Sequence, residues 1–284
     1  MMSENKADIA VIGLAVMGQN LILNMNDHGV KVVAYNRTQK KVSDFIAGPA
    51  HQTNIQGANS LEQMVSMLNS PKKIMLMVKA GEVVDHYINE LIPMLSKGDV
   101  LIDGGNSNFV DTERRVKVML EQGLYYIGMG VSGGEEGARN GPSIMPGGDV
   151  QAWPLVKNIF QSIAAKTEAG ESCCEWVGSG GAGHFVKMVH NGIEYGDMQL
   201  IAESYHFMKT ALSMNHHEMQ KTFSAWNKTE LNSYLIEITA NILGHEEDGK
   251  PLLEDILDVA GQKGTGKLTS INALETGVPL SLIS

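Results

Sequence analysis

The stretch Ile9-Ala10-Val11-Ile12-Gly13-Leu14-Ala15-Val16-Met17-Gly18-Gln19-Asn20 decides the fold. Four apolar residues in a row, three of them β-branched, read as a short strand buried on both faces. Helical spacing follows from Asn20 to Asp27. Between them stands a glycine turn in which each small residue has a task. Gly13 makes the tight bend, Ala15 lets the backbone approach a pyrophosphate, and Gly18 lets the helix pack closely on the strand. The helix start then offers unpaired N–H groups and a partial positive charge to phosphate oxygens. Ala15 stands where the dinucleotide fingerprint usually carries its central glycine. A glycine-rich turn can also serve geometry alone, so the reading rests on its setting, with a strand before it and a helix after it.

Working outward, the same alternation recurs. Short aliphatic runs at Val30–Tyr35, Ile74–Val78, Val100–Ile102 and Tyr126–Met129 are separated by helical patterns at Leu61–Leu68, Val83–Leu95 and Asp111–Glu121, and Gln151–Ala165 adds another helix. Strands alternating with helices predict right-handed βαβ units and a doubly wound, mostly parallel sheet of the Rossmann type. The glycines of Gly178-Ser179-Gly180-Gly181-Ala182-Gly183 interrupt the pattern, and beyond them the strand signal stops. His184 to about Met214 reads as one long helix, followed by helices at His217–Trp226, Glu230–Leu243 and Leu252–Val259. The expectation is an α/β dinucleotide-binding domain over residues 1–180 and the first part of an all-α domain over 181–284.

Bulk properties set limits on partners. A chain of 284 residues suits one large domain or two ordinary ones at about 150 residues each. The net charge of −10 argues against nucleic-acid or anionic-membrane binding, where a basic face is expected. Cys173 and Cys174 are the only cysteines and adjacent, so they supply no disulfide framework; a cytoplasmic setting fits. No apolar run approaches the roughly 20 residues of a membrane span. The 17 methionines read as gap-filling core residues. His216-His217 and Cys173-Cys174 make no complete metal-ligand set, and no metal is expected.

The second strand end selects the cofactor. An NAD site expects a carboxylate there for the ribose 2′-hydroxyl. This chain has Asn36-Arg37-Thr38 instead, with no carboxylate before Asp44. Arg37 can pair bidentately with a 2′-phosphate and stack on adenine, while Asn36 and Thr38 add neutral hydrogen bonds. NADP is therefore expected, against the plainer reading of a solvated arginine. Val78-Lys79-Ala80 and Asn106 end two further strands that face the same crevice.

Two segments carry candidate chemistry. Ser132-Gly133-Gly134 follows a strand end and can hold a carboxylate or hydroxyls through backbone N–H groups; a flexible loop is the plainer alternative. On a helix, Lys187, His190, Asn191 and Glu194 fall at i, i+3, i+4 and i+7 and make one polar stripe beside the apolar Phe185, Val189 and Ile193. A solvated ion pair would explain Lys187 and Glu194 alone. With His190, Asn191 and a helix-weakening Gly192 between them, a lysine and a carboxylic acid two turns apart suit proton transfer to and from one substrate.

Together these residues resemble the decarboxylating 6-phosphogluconate dehydrogenase family. The stretches that carry the resemblance run over 13–20, 36–38, 77–81, 103–107, 130–138, 141–148, 184–199 and 262–267, essentially the whole chain. The resemblance implies NADP held by Gly13, Leu14, Ala15, Val16, Met17, Gly18, Asn36, Arg37, Thr38, Val78, Lys79, Ala80 and Asn106. It implies 6-phosphogluconate as substrate, held by Asn106, Ser132, Gly133, Gly134, His190 and Asn191, with Tyr195 and Lys263 at its phosphate. Lys187 would be the general base at the C3 hydroxyl, and Glu194 the general acid that protonates C1 after CO2 is lost without a metal. A homodimer is implied for the family.

Members of that family are longer, and this sequence stops at Ser284 inside what resembles their helical domain. An arginine shortly beyond, and a tail arginine and histidine that reach the partner's phosphate site, lie outside it, so the expected substrate site is incomplete. Two other readings stay open. One is a β-hydroxyacid dehydrogenase of the 3-hydroxyisobutyrate type, which shares the loop and the helical lysine but needs no phosphate residues. The other is a catalytically silent NADP-binding fragment.

Overall fold

The computed structural model describes residues 6–261 and 264–284. The chain divides into two compact units, one ending at Met188 and the other beginning at Val189. In chain order the first unit contains β1 (Ile9–Ile12), α1 (Val16–Asp27), β2 (Val32–Tyr35), α2 (Gln39–Ala47), β3 (Gln56–Gly57), α3 (Leu61–Ser66), β4 (Lys73–Leu76) and α4 (Glu82–Leu91). It continues with β5 (Val100–Asp103), α5 (Phe109–Glu121), β6 (Tyr125–Ser132), α6 (Gly134–Asn140), β7 (Ser143–Gly148), α7 (Trp153–Ile163), β8 (Gly178–Ser179) and the start of α8 (Ala182–Thr210).

The eight strands lie in the order β3-β2-β1-β4-β5-β6-β7-β8. The order reverses at β1, which pairs in parallel with both β2 and β4. This is the switch point of a doubly wound sheet, and the carboxyl ends of the strands beside it open a crevice. The central strands are continuous apolar runs because helices cover both faces. Ile9 and Val11 enter one core with Leu21, Met25 and Phe45, while Ala10 and Ile12 enter the other with Met64, Ile88 and Leu91. β7 departs from the parallel expectation: it pairs antiparallel to β6 from Ile127↔Gly148 to Ser132↔Ser143.

The second unit holds the rest of α8, then α9 (His216–Trp226), α10 (Tyr234–Leu243) and α11 (Thr265–Thr276). This unit is helical as expected, with one addition and one missing helix. A ribbon of β9 (Glu246–Glu247) and β10 (Lys250–Pro251) interrupts the helices, closed by Asp248-Gly249 with φ of 51° and 76°, the two-residue turn that suits a hairpin. The helix expected over Leu252–Val259 is only a short 3-10 turn at Leu252–Asp255. Ile256, Leu257 and Val259 are exposed, so that apolar run buries no helical face. Among the described residues, no helix is long and apolar enough to cross a membrane.

Candidate active site

The turn between β1 and α1 shows why its glycines stand where they do. Gly13 has φ +112°, and a Cβ there would lie 2.2 Å from the Met77 carbonyl oxygen. A Cβ on Gly18 would lie 2.0 Å from the Gly13 oxygen. The backbone is thus folded against itself and against the residue after β4. Ala15 precedes α1 with no side-chain cap, and the first turn carries no acid. Ser60 and Asn108, by contrast, cap α3 and α5 through their side chains. The N–H groups at the start of α1 are therefore left for an anion rather than spent on a cap.

At the end of β2, Asn36 is used by the chain itself. Its Oδ1 accepts the Leu14 N–H at 3.1 Å and its Nδ2 donates to the Thr38 carbonyl at 3.3 Å. Arg37 and Thr38 are exposed, as are Lys79 beyond β4 and Asn106 beyond β5. These residues follow the carboxyl ends of β2, β4 and β5, the strands at and beside the switch point.

Beneath Asn106 lies a buried polar network. Asp103, fully buried, accepts from Ser107 Oγ at 2.6 Å, the Gly105 N–H at 3.0 Å and the Tyr126 hydroxyl at 3.2 Å. The guanidinium of Arg115, 1% exposed, reaches Asp103 at 3.5 Å and both Asp85 oxygens at 2.8 and 3.0 Å. It also donates to the Gly81 carbonyl and to Ser107. The Arg115 guanidinium holds the Asp85 carboxyl below its usual range. Burial, with Asp103 beside it, pushes the Tyr126 hydroxyl well above its usual value. A single buried cation thus ties the turn after β4 to the turn after β5.

α8 begins on a floor without side chains. A Cβ on Gly183 would stand 2.1 Å from the Gly128 oxygen, and one on Gly130 would stand 2.5 Å from Lys187 Cβ. The helix start therefore rests directly on the backbone of β6, and Lys187 is buried (6% exposed) with its stem over Gly130. Two residues further along β6 comes Ser132, half-buried. Gly133 and Gly134, with φ of 130° and 61°, lead into α6, so the segment beyond Ser132 is a helix rather than a flexible loop.

In the second unit, His190 Nδ1 lies 3.1 Å from Asn191 Oδ1 and 3.9 Å from Glu194 Oε2. Asn191 Nδ2 donates to Thr265 Oγ1 at 3.2 Å. The Tyr195 ring packs on Gly266, where a Cβ would lie 2.5 Å from Cδ2. His190, Asn191, Glu194 and Tyr195 thus share one neighbourhood with the start of α11. Lys263 lies outside the described residues.

Sequence reasoning missed Asp85, Asp103, Arg115, Thr112, His184 and Thr265. Only Asp103, His184 and Thr265 had a signal, since each lies inside a quoted motif. Among the described residues, no group of three or more His, Cys, Asp or Glu side chains is placed to hold a metal ion.

Comparisons with known proteins extend this picture. Residues 8–178 match the family model for the NAD binding domain of 6-phosphogluconate dehydrogenase, and residues 183–284 match that for the 6-phosphogluconate dehydrogenase C-terminal domain. The chain is 65% identical over 280 residues to the decarboxylating 6-phosphogluconate dehydrogenase of Haemophilus influenzae and 63% identical over 279 residues to that of Homo sapiens. Each match covers 98% of this chain and 58% of the relative, so the chain spans well under two thirds of those proteins. Plasmodium falciparum 6-phosphogluconate dehydrogenase has been solved in its apo form, with its cofactor NADP+ and with its substrate 6-phosphogluconate. It superposes with a TM-score of 0.92 at 45% identity over 97% of this chain and 60% of that one. A Mycobacterium tuberculosis 3-hydroxyisobutyrate dehydrogenase shares the fold, with a TM-score of 0.73 at 19% identity over 98% of this chain and 90% of that one. On the match of both family models and the identity to these relatives, the chain belongs to the 6-phosphogluconate dehydrogenase family.

Proposed function

We propose that this chain carries the cofactor site and the catalytic pair of an NADP-dependent oxidative decarboxylase that converts 6-phospho-D-gluconate to D-ribulose 5-phosphate, CO2 and NADPH. The observation that carries this reading is Lys187, a lysine buried on a glycine floor near the carboxyl end of β6, where substrates of doubly wound sheets bind. The donor set fits NADP: an uncapped helix start for the pyrophosphate, and Arg37 with no carboxylate at the end of β2 for the 2′-phosphate. Gly13 to Gly18, Asn36 to Thr38, Val78, Lys79, Ala80 and Asn106 make up that site, with Asn36 shaping the turn. Bound NADP accepts the hydride.

The chain's own residues supply the proton chemistry. Lys187 as neutral amine takes the C3 hydroxyl proton while the C3 hydrogen leaves with its electron pair, giving a 3-keto acid. Protonated Lys187 then donates to the ketone oxygen as the C1–C2 bond breaks and CO2 departs. Glu194 gives its proton to the carbon left behind, C1 of the pentulose, while neutral Lys187 takes back the enol hydroxyl proton as the ketone re-forms; return of that proton to the Glu194 carboxylate through solvent restores both groups. Asn106, Ser132, Gly133, Gly134, His190 and Asn191 hold the sugar acid, and Tyr195 and Lys263 its phosphate. A homodimer and a cytoplasmic setting belong to the same reading.

The test is NADPH formation by the purified chain with 6-phosphogluconate at saturating NADP, followed by absorbance. Turnover supports the proposal. NADP binding without turnover would replace it with a silent NADP-binding role, and activity confined to a small unphosphorylated hydroxy acid would move it to the 3-hydroxyisobutyrate class.

A further inference from the structure

His184 takes no part in the chemistry above, yet it is among the most enclosed polar side chains of the first unit, 2% exposed. It stands in the first turn of α8, three residues before Lys187. Its Nδ1 lies 2.6 Å from Thr112 Oγ1 of α5. Gly128 of β6 makes the floor under this pair: a Cβ there would sit 2.4 Å from Thr112 Cγ2 and 2.8 Å from His184 Nδ1. Nε2 meets no partner with hydrogen-bond geometry among the described residues. The ring is kept below its ordinary pKa by burial, although Asp103 and the Asp103 and Gly105 backbones favour its protonation. One enclosed imidazole therefore links α5 to β6.

The same strand carries Lys187. Gly128 and Gly130 are two apart on β6 and so lie on one face, the first under His184 and the second under the Lys187 stem. A shift of the ring would slide or rotate the first turn of α8 over that floor, and Lys187 would move with it.

We propose that His184 is a positioning residue: keyed to Thr112 and seated on Gly128, it sets where the Lys187 amine stands over β6. The proposal rests on the general-base reading of Lys187. Its test is chosen to be decided without turnover.

In the full chain, Thr112→Val removes the hydroxyl that pairs with Nδ1, Thr112→Ser keeps it, and Gly128→Ala intrudes on the ring's seat from below. The readout is the rate of reductive methylation at each lysine, mapped by mass spectrometry, with exposed Lys79 as the internal reference. Thr112→Val and Gly128→Ala should raise the rate at Lys187 about tenfold relative to Lys79, the effect of losing one buried hydrogen bond. Thr112→Ser should stay within about twofold of the unsubstituted chain, a rescue that follows from restoring the hydroxyl. With turnover measurable, kcat should fall in the first two variants while the KM for NADP holds. An unchanged Lys187 rate in Thr112→Val, or a rise at every lysine alike in both variants, overturns the proposal. Absence of NADPH formation by the unsubstituted chain would count against the catalytic reading alone.

Discussion

In the first unit the polar groups that support the candidate residues are buried and branch; in the second most are half-exposed and form one short chain. Asp103 and Arg115 are 0% and 1% exposed at the side chain, and together they bind five other residues. His190 and Glu194 keep 38% and 40% of their side chains in solvent. The apolar cores differ likewise. The first unit packs both faces of its sheet. The second gathers Met208, Met219, Phe223, Ala240 and Leu243, while Phe207, Leu257 and Leu274 are 58%, 77% and 81% exposed. Geometry in the first unit is over-determined by burial, whereas the second leans on few contacts and should open more readily.

The largest expected effect probes the first unit's chemistry. Lys187→Ala should lower NADPH formation by about three orders of magnitude, the weight of a general base, and leave the NADP dissociation constant nearly unchanged by titration. Equal loss of NADP binding would mean that the lysine and the cofactor loop are not separable. Next comes the contrast in ion pairs. Arg115→Met, which strands buried Asp103, should cost about 3–5 kcal/mol in denaturant unfolding. Lys209→Met breaks a pair with Glu254 whose side chains are 41% and 47% exposed and should cost about 1 kcal/mol or less. Similar losses would erase the distinction between the units.

A smaller effect concerns cofactor choice. Arg37→Ala should weaken NADP by about 2 kcal/mol, in line with a charged hydrogen-bond partner, with NAD binding barely altered; equal weakening of both would remove the phosphate contact. The smallest is a pH slope. His184 is held below its ordinary pKa by burial, so below about pH 6.5 the unfolded chain takes up a proton that the folded unit resists. Stability should therefore fall on acidification, by at most about 1.4 kcal/mol per pH unit, and His184→Asn should flatten that part of the curve. Asp85, lowered by Arg115, adds loss of the same sign at lower pH, where its carboxylate protonates.

What was legible in the sequence follows from the range of each interaction. Ile9–Ile12 emerges residue for residue because a strand buried on both faces leaves an unbroken apolar run. The strand-end residues follow from their spacing to such runs. β7 escaped because Pro146, Gly147 and Gly148 read as a loop, and only pairing with β6 makes them a strand. α11 hid behind the glycines before it, and the Asp248-Gly249 hairpin was a turn signal passed over. The buried network left no local trace: Thr112 and His184 are 72 residues apart, Arg115 and Asp85 30. No periodicity announces which arginine will be enclosed.

The floor under α8 has a consequence for how this protein tolerates change. At Gly130 and Gly183 the first added carbon already overlaps the Lys187 Cβ or the backbone, so the smallest possible substitution is refused there. A saturation scan scored for folding should show its deepest gaps at these positions, which contribute no side chain at all, rather than at the charged residues nearby. Variation among functional descendants of this chain would accordingly collect on α8's exposed flank and be excluded from the strand it sits on.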